Sequence, residues 1–314
     1  AAASEIGSAR LRCEYADGPL AVQYIRPRLS WSNEAKSDKR GLRQSAYQVL
    51  VASAADELAR DRGDLWDSGK VDGDASIQVE YAGRPLASRQ RCFWKVRTWD
   101  QDGQPSLWSE PSRWTMGPLT PDDWQAKWIQ AGSNNSAASP MPIFRRGFEL
   151  SKPVRRAMLY VSGLGQHEVR LNGQKVGQAV IEPSWSNYRK TCYYRTSDVT
   201  ALLRQGENAI GVMLGNGMYN VVGGRYIKFK GSFGPPKLIC QLEVEHADGS
   251  RTVVTSDGSW KWSDGPIRFS CTFGGEDYDA REEQSGWGAA GFDDAAWSAV
   301  SDDVGPGGRL RSEI

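Results

Sequence analysis

Histidine is almost missing from this sequence: the 314 residues contain two, His167 and His246, each standing alone. The five cysteines, Cys13, Cys92, Cys192, Cys240 and Cys271, lie far apart with no Cys-x-x-Cys pair. Zinc needs several thiolate or imidazole ligands brought together, so both shortages argue against it. Four of the cysteines sit in strand-like apolar contexts such as "LICQL" and "CFWKV". Two readings of them stay open, buried free thiols acting as small hydrophobes or one incidental disulfide. Excess charge is missing too. Lys and Arg number 39 against 38 Asp and Glu, a formal +1, which removes the main electrostatic argument for nucleic acid or an anionic membrane as partner. No apolar run approaches the roughly 18 to 20 residues of a spanning helix. There is no Gly-x-Ser-x-Gly elbow for a nucleophilic serine, and Gly-rich "GNGMYNVVGG" follows no βαβ pattern that would make it a phosphate cradle. The opening "AAASEIG" fits either the remnant of a signal cleavage site or an arbitrary cut, and leaves the compartment open.

What the sequence does hold is strand. Its length allows two ordinary domains, each with a core, and 13 Trp help to fill them. "PRLSWS", "SAYQVLVAS", "IQVEYAG", "CFWKVRTWD" and "SRWTMG" are rich in aromatic and β-branched residues and bounded by Gly, Pro, Asp and Ser. Two of them alternate with period two, as strands with one wet face should. "ADELARDRG" is a short helical insert closed by Gly63, and "WDQDGQPSLWSE" carries a polar Asp-Gly turn. About seven strands with turns this close together predict a β-sandwich of immunoglobulin or fibronectin-III type over residues 1–118. No cysteine pair brackets a core Trp, which favours the fibronectin-like variant.

"MGPLTPDDW" breaks the pattern, and "WQAKWIQA" starts afresh. Longer strands follow, among them "IFRRGFEL", "RRAMLYVSG", "HEVRLNG", "CYYRTSDV", "AIGVMLGNG", "KLICQLEVEHADG" and "RTVVTSDGSWKW". Asn172-Gly173, Asp248-Gly249 and Asp257-Gly258 are turn dipeptides at hairpin intervals. The whole is therefore expected to be all-β, with a larger jelly-roll (galactose-binding-like) sandwich over residues 119–304. "SDVTALLRQGENAI" places Ser-Asp before a short helical turn, where side-chain oxygens cap free N–H groups. "LGNGMY" ends a strand at Gly215, Asn216 and Gly217. "SDDVGPGGRLRSEI" has the composition of a linker, which predicts that the chain is the N-terminal portion of a longer protein and that 305–314 lead onward.

These stretches resemble a known family. "YVSGLGQHEVRLNGQKVG", "PSWSNYRKTCYYRTSDVTALLRQGENAIGVMLGNGMY" and "GPIRFSCTFGGEDYDAREEQSGW" are similar to the N-terminal accessory domain of bacterial α-L-rhamnosidases of glycoside hydrolase family 78. "DDWQAKWI" and "FDDAAWSAV" fit as well. "RPRLSW", "QSAYQVLVAS", "LWDSGKV", "YAGRPL" and "FWKVRTWDQDGQPSLWSEPSRWTMG" resemble the fibronectin-like module that precedes it. The resemblance covers nearly the whole chain, in order. It implies a protein that hydrolyses terminal α-L-rhamnose from glycosides with inversion, using an acid and a base held roughly 6.5 to 9.5 Å apart. In the family these sit in an (α/α) barrel C-terminal to the domains seen here, so the implied partner of this chain is its own catalytic barrel, and the catalytic pair is expected to be absent.

"GGEDYDAREE" supplies Glu276, Asp277, Asp279, Glu282 and Glu283, from which a glycosidase reading would choose an acid and a base. The competing reading makes Glu276, Tyr278, Asp279 and Arg281 a structural signature, with Glu276 pairing Arg281 while Glu282 and Glu283 are solvated. His167 is a general base only by residue type. Sugar binding is the better functional expectation, because aromatic faces stack on the apolar side of a sugar ring while polar groups meet its hydroxyls. "PSWSNYRK" offers Trp185, Asn187, Tyr188 and Arg189; "GNGMYNVVGGRY" offers Asn216, Tyr219, Asn220, Arg225 and Tyr226. The same aromatics would serve equally by burying against neighbouring strands. Some relatives of the second domain bind L-rhamnose with calcium; Asn216-Gly217 stands here where a carboxylate would support that, so no cofactor is expected. Rhamnose-containing glycosides or polysaccharides are the expected ligands.

Overall fold

The computed structural model describes residues 4–132, 138–225 and 230–314. The chain divides into two compact units, one ending at Asp123 and the other spanning Trp124–Glu313. In the first, an antiparallel sheet runs Ile6–Cys13, Arg28–Ala35, Val79–Glu80. A second sheet has the order Trp66–Asp67, Gln44–Ala52, Arg91–Asp100, Ser112–Thr115, with Val71–Asp72 also paired to Gln44–Ala52. Leu29 and Trp31 from one sheet meet Val49, Val51, Trp94, Val96 and Trp114 from the other in a single buried core. The period-two alternation fails at the end of Gln44–Ala52, where Gln48–Ala52 are all buried. The cause is the helix Ala55–Ala59, whose Leu58 packs on Leu50 and Ala52 from the outer face. Five residues cannot hold a helix alone; burying one leucine, worth about 1.5–3 kcal/mol, supplies the tertiary support.

The second unit is the larger β-sandwich. One sheet has the order Gln174–Lys175, Gln166–Leu171, Gly206–Gly215, Pro142–Leu150, Lys261–Asp264, Ser298–Ala299. The other has Ser301–Asp303, Trp128–Gln130, Lys237–His246, Val154–Leu164, Thr191–Asp198, Arg309–Ser312, with Arg251–Thr255 paired to Lys237–His246. Most neighbours in each sheet are far apart in sequence because the chain passes repeatedly between sheets, as a jelly roll requires. Phe144, Val169, Ile210 and Val212 face Leu159, Val161, Cys240 and Leu242 across the core, with Trp260 buried among them.

The turn dipeptides have unequal roles. Asn172 and Gly173, at φ +51° and +82°, close a two-residue hairpin in which Leu171 pairs Gln174. Asp248-Gly249 joins two paired strands, with the Asp248 carboxylate accepting from the Ser250 N–H at 3.0 Å. Asp257-Gly258 is no hairpin: it carries the chain from Arg251–Thr255 in one sheet to Lys261–Asp264 in the other. Ahead of the 3-10 turn Thr200–Leu202, Asp198 accepts from the Thr200 N–H at 3.1 Å, as the Ser-Asp motif predicts. Within residues 305–314, expected as a linker, Arg309–Ser312 form a strand lying parallel to Thr191–Tyr194. All five cysteines are buried free thiols, which closes the disulfide alternative. No helix among the described residues is long and apolar enough to cross a membrane.

Candidate functional site

The residues nominated for sugar binding fall into three places. Trp185, Asn187 and Tyr188 come together in an open groove of about 790 Å³, whose other wall is Met218 and Gly231–Phe233. The first wall is the loop leading into the strand Thr191–Asp198; the second is the short pairing of Asn220–Val221 with Gly231–Ser232. Behind the groove stand three packed rings. Tyr188 meets Tyr219 edge-on at 5.0 Å and Phe233 edge-on at 5.3 Å, while Tyr219 and Phe233 stack at 5.7 Å. Tyr188 and Tyr219 are buried, and Tyr219 donates its hydroxyl hydrogen bond to the Phe233 carbonyl at 3.2 Å. Burial pushes the Tyr188 phenol up to about 12. Trp185, by contrast, is 67% exposed and Phe233 40%. Exposed aromatic faces on a packed floor are what a stacking ligand needs.

Asn216 and Asn220 are buried beside a smaller cavity of about 150 Å³. Asn216 donates to the Ser270 carbonyl at 3.0 Å and accepts from Asn220 at 2.8 Å; Asn220 in turn accepts from the Ser232 hydroxyl at 2.6 Å. These amides brace the "LGNG" turn, where Gly217, at φ +48°, packs against the Gly165 backbone closely enough that a Cβ would lie 3.0 Å from it. Among the described residues no group of three or more potential metal ligands occurs. Arg225 lies apart from both places: its guanidinium pairs with Asp277 at 2.5 Å and covers the Phe269 ring. Tyr226 lies outside the described residues.

The acidic signature is arranged differently from expectation. Arg281 pairs with Asp279, at 2.8 and 2.6 Å, and not with Glu276. Asp279 precedes the 3-10 turn Ala280–Glu282 and already accepts from the Arg281 N–H at 3.1 Å, so the turn folds the guanidinium back onto it. Glu276 sits in the strand Gly275–Tyr278, opposite Ser270. The Arg281 pair holds Asp279 down at about 2, the reverse of what a general acid needs. Glu282 and Glu283 are exposed, and Glu283 bonds the Tyr278 hydroxyl. Tyr278 lines a separate groove with Glu168 and Arg170, where Glu168 is ion-paired to Arg170 and Lys175.

His167 is buried, its Nδ1 accepting from the Gly163 N–H at 3.2 Å. Burial, with Arg195 nearby, pushes its pKa down to about 3. Its Nε2 lies 4.0 Å from Glu182, whose carboxylate accepts from Arg195 at 3.1 Å and is raised by burial. Sequence reasoning missed Phe233 and Met218. The available signal for Phe233 was an aromatic flanked by turn residues in "GSFGPP".

The fold defines a tandem β-sandwich protein, an immunoglobulin-like module ahead of a larger sandwich bearing an open aromatic groove. The chain belongs to the α-L-rhamnosidase family. The family model for the α-L-rhamnosidase N-terminal domain matches residues 152–313, just over half the chain, and that for the Rha78A-like N-terminal immunoglobulin domain matches residues 8–120. An α-L-rhamnosidase of Formosa agariphila is 37% identical over 308 residues, covering 89% of this chain and 32% of the relative. The structure of α-L-rhamnosidase from Dictyoglumus thermophilum superposes with a TM-score of 0.90 at 36% identity, over 100% of this chain and 36% of that one. The Streptomyces avermitilis α-L-rhamnosidase, solved with L-rhamnose, superposes with a TM-score of 0.88 at 28% identity, over 96% and 45%. The chain spans about a third of the length of the first curated relatives it matches.

Proposed function

We propose that this chain is the non-catalytic N-terminal part of an α-L-rhamnosidase, supporting a barrel that removes terminal α-L-rhamnose with inversion and helping to hold its glycan. The observation that carries this reading is the state of the acidic signature: the carboxylates a glycosidase would use are spent on arginines or exposed, with none poised as an acid opposite a base. The relatives' greater length supplies room for the barrel elsewhere. The expected result is that the 314-residue chain releases no p-nitrophenol from p-nitrophenyl α-L-rhamnoside. Turnover that disappears in Glu276→Gln or Asp279→Asn would overturn the reading.

The open groove favours a second reading, a carbohydrate-binding module that works without a barrel. Trp185 and Asn187 would then contact sugar while Tyr188 and Tyr219 support the floor. Asn216, Asn220 and Arg225 would act only indirectly, since their side chains are engaged within the fold.

A further inference from the structure

The groove is basic in a molecule that is otherwise balanced. The stretch 184–192 contains no Asp or Glu, and neither does the stretch 214–238, within which Met218 and Gly231–Phe233 form the opposite wall. Arg189 lines the groove with its guanidinium 5.8 Å from the Phe233 ring centre. Lys190 follows it on the exposed loop, and Lys230 precedes the opposite wall, also exposed. Among the described residues none of these three cations is ion-paired with a carboxylate, whereas Arg146, Lys152, Lys237 and Lys261 elsewhere in the second unit are. The nearby carboxylates are already committed: Glu313 accepts from the Ser184 N–H at 3.2 Å, and Asp303 is paired to Lys237. Unpaired cations beside a half-exposed aromatic wall hold a ligand that brings both an apolar ring face and a negative charge.

We propose that this groove binds an acidic glycan, with a sugar ring stacked on Trp185, the more exposed ring, and a carboxylate or sulfate group of the glycan held by Arg189, with Lys190 next to it in the loop. Neutral sugar would use the aromatic wall alone and leave the cations idle. The proposal rests on the reading of the chain as the glycan-holding part of a rhamnosidase, and it adds the charge of that glycan.

The test is calorimetric titration of the 314-residue chain at low salt with three rhamnose-containing oligosaccharides, one neutral, one bearing uronate and one bearing sulfate. Polyglutamate serves as a polyanion without sugar. We expect at least one acidic oligosaccharide to bind about tenfold or more tightly than the neutral one, and the better arm identifies the anion. Trp185→Ala should weaken it about tenfold. The double change Arg189→Gln with Lys190→Gln should bring it down to the affinity of the neutral sugar. Circular dichroism of each variant establishes that the fold is kept, since all three side chains are exposed. Equal binding of neutral and acidic sugars, equal binding of polyglutamate, or no binding of either acidic sugar would overturn the proposal. The p-nitrophenol assay is unaffected by these outcomes, so failure here and failure of the broader reading are separable.

Discussion

Asn172 shows how much one residue of a turn can carry beyond its backbone angle. Its side chain accepts from the Ala209 N–H at 2.9 Å and donates to the Leu202 carbonyl and to Asn208, each at 2.8 Å. The dipeptide announced the turn; nothing local announced the bracing, because its partners lie some thirty residues further on. His167 teaches the opposite lesson. By residue type it was a base, yet burial keeps it neutral with a pKa pushed down to about 3. An unfolded histidine titrates near 6.5, so below that pH the unfolded chain binds a proton that the folded chain refuses. Stability therefore falls with falling pH, by about 1.4 kcal/mol per unit at most between pH 6.5 and 5. Urea unfolding of the wild type at pH 7 and pH 5 measures that loss, and His167→Asn, which keeps an acceptor for Gly163, should show a smaller one. An equal loss in the variant would remove His167 as the cause.

At the scale of elements, the segment Arg309–Ser312 departs from what its composition predicts, forming a strand parallel to Thr191–Tyr194. Gly-Pro-Gly-Gly and alternating charge suggested a linker, but a parallel edge strand needs few apolar residues, since its backbone does the pairing. Leu310 is the exception: it packs with Leu164, Tyr188, Cys192 and Tyr219, the same cluster that floors the groove. Burial also raises the Cys192 thiol to about 12, leaving it inert. Removing residues 309–314 should uncover the edge of Thr191–Asp198 and make Cys192 react with Ellman's reagent under native conditions. The intact chain, with five buried thiols, should react slowly. A truncated chain whose thiols stay as protected as before would show that the strand contributes nothing to this cluster. The turn at Asp257-Gly258 is the companion case, where a dipeptide typical of hairpins bridges two sheets because the strand on each side finds a different partner.

For the molecule as a whole, two separate cores imply two folding units. Residues 124–314, expressed alone, should therefore unfold cooperatively, with the near-ultraviolet dichroism of packed Trp260 and the Tyr188–Tyr219 pair retained. A molten spectrum without a cooperative transition would mean that the second sandwich does not fold by itself. Strand identity and the order of the two sandwiches were legible in the sequence, because period-two alternation and turn chemistry act over a few residues. So were the loop carrying Trp185, Asn187 and Tyr188 and the near balance of charge. Only the tertiary structure decided that Phe233 completes the groove, that Asn216 and Asn220 are structural amides, that Arg225 turns away to Asp277, and that Arg281 chooses Asp279 over Glu276. The physical reason is the same in each case. A side chain's partner is set by which strands lie side by side, and in a sandwich most of whose sheet neighbours are far apart in sequence that adjacency is a property of the assembled chain.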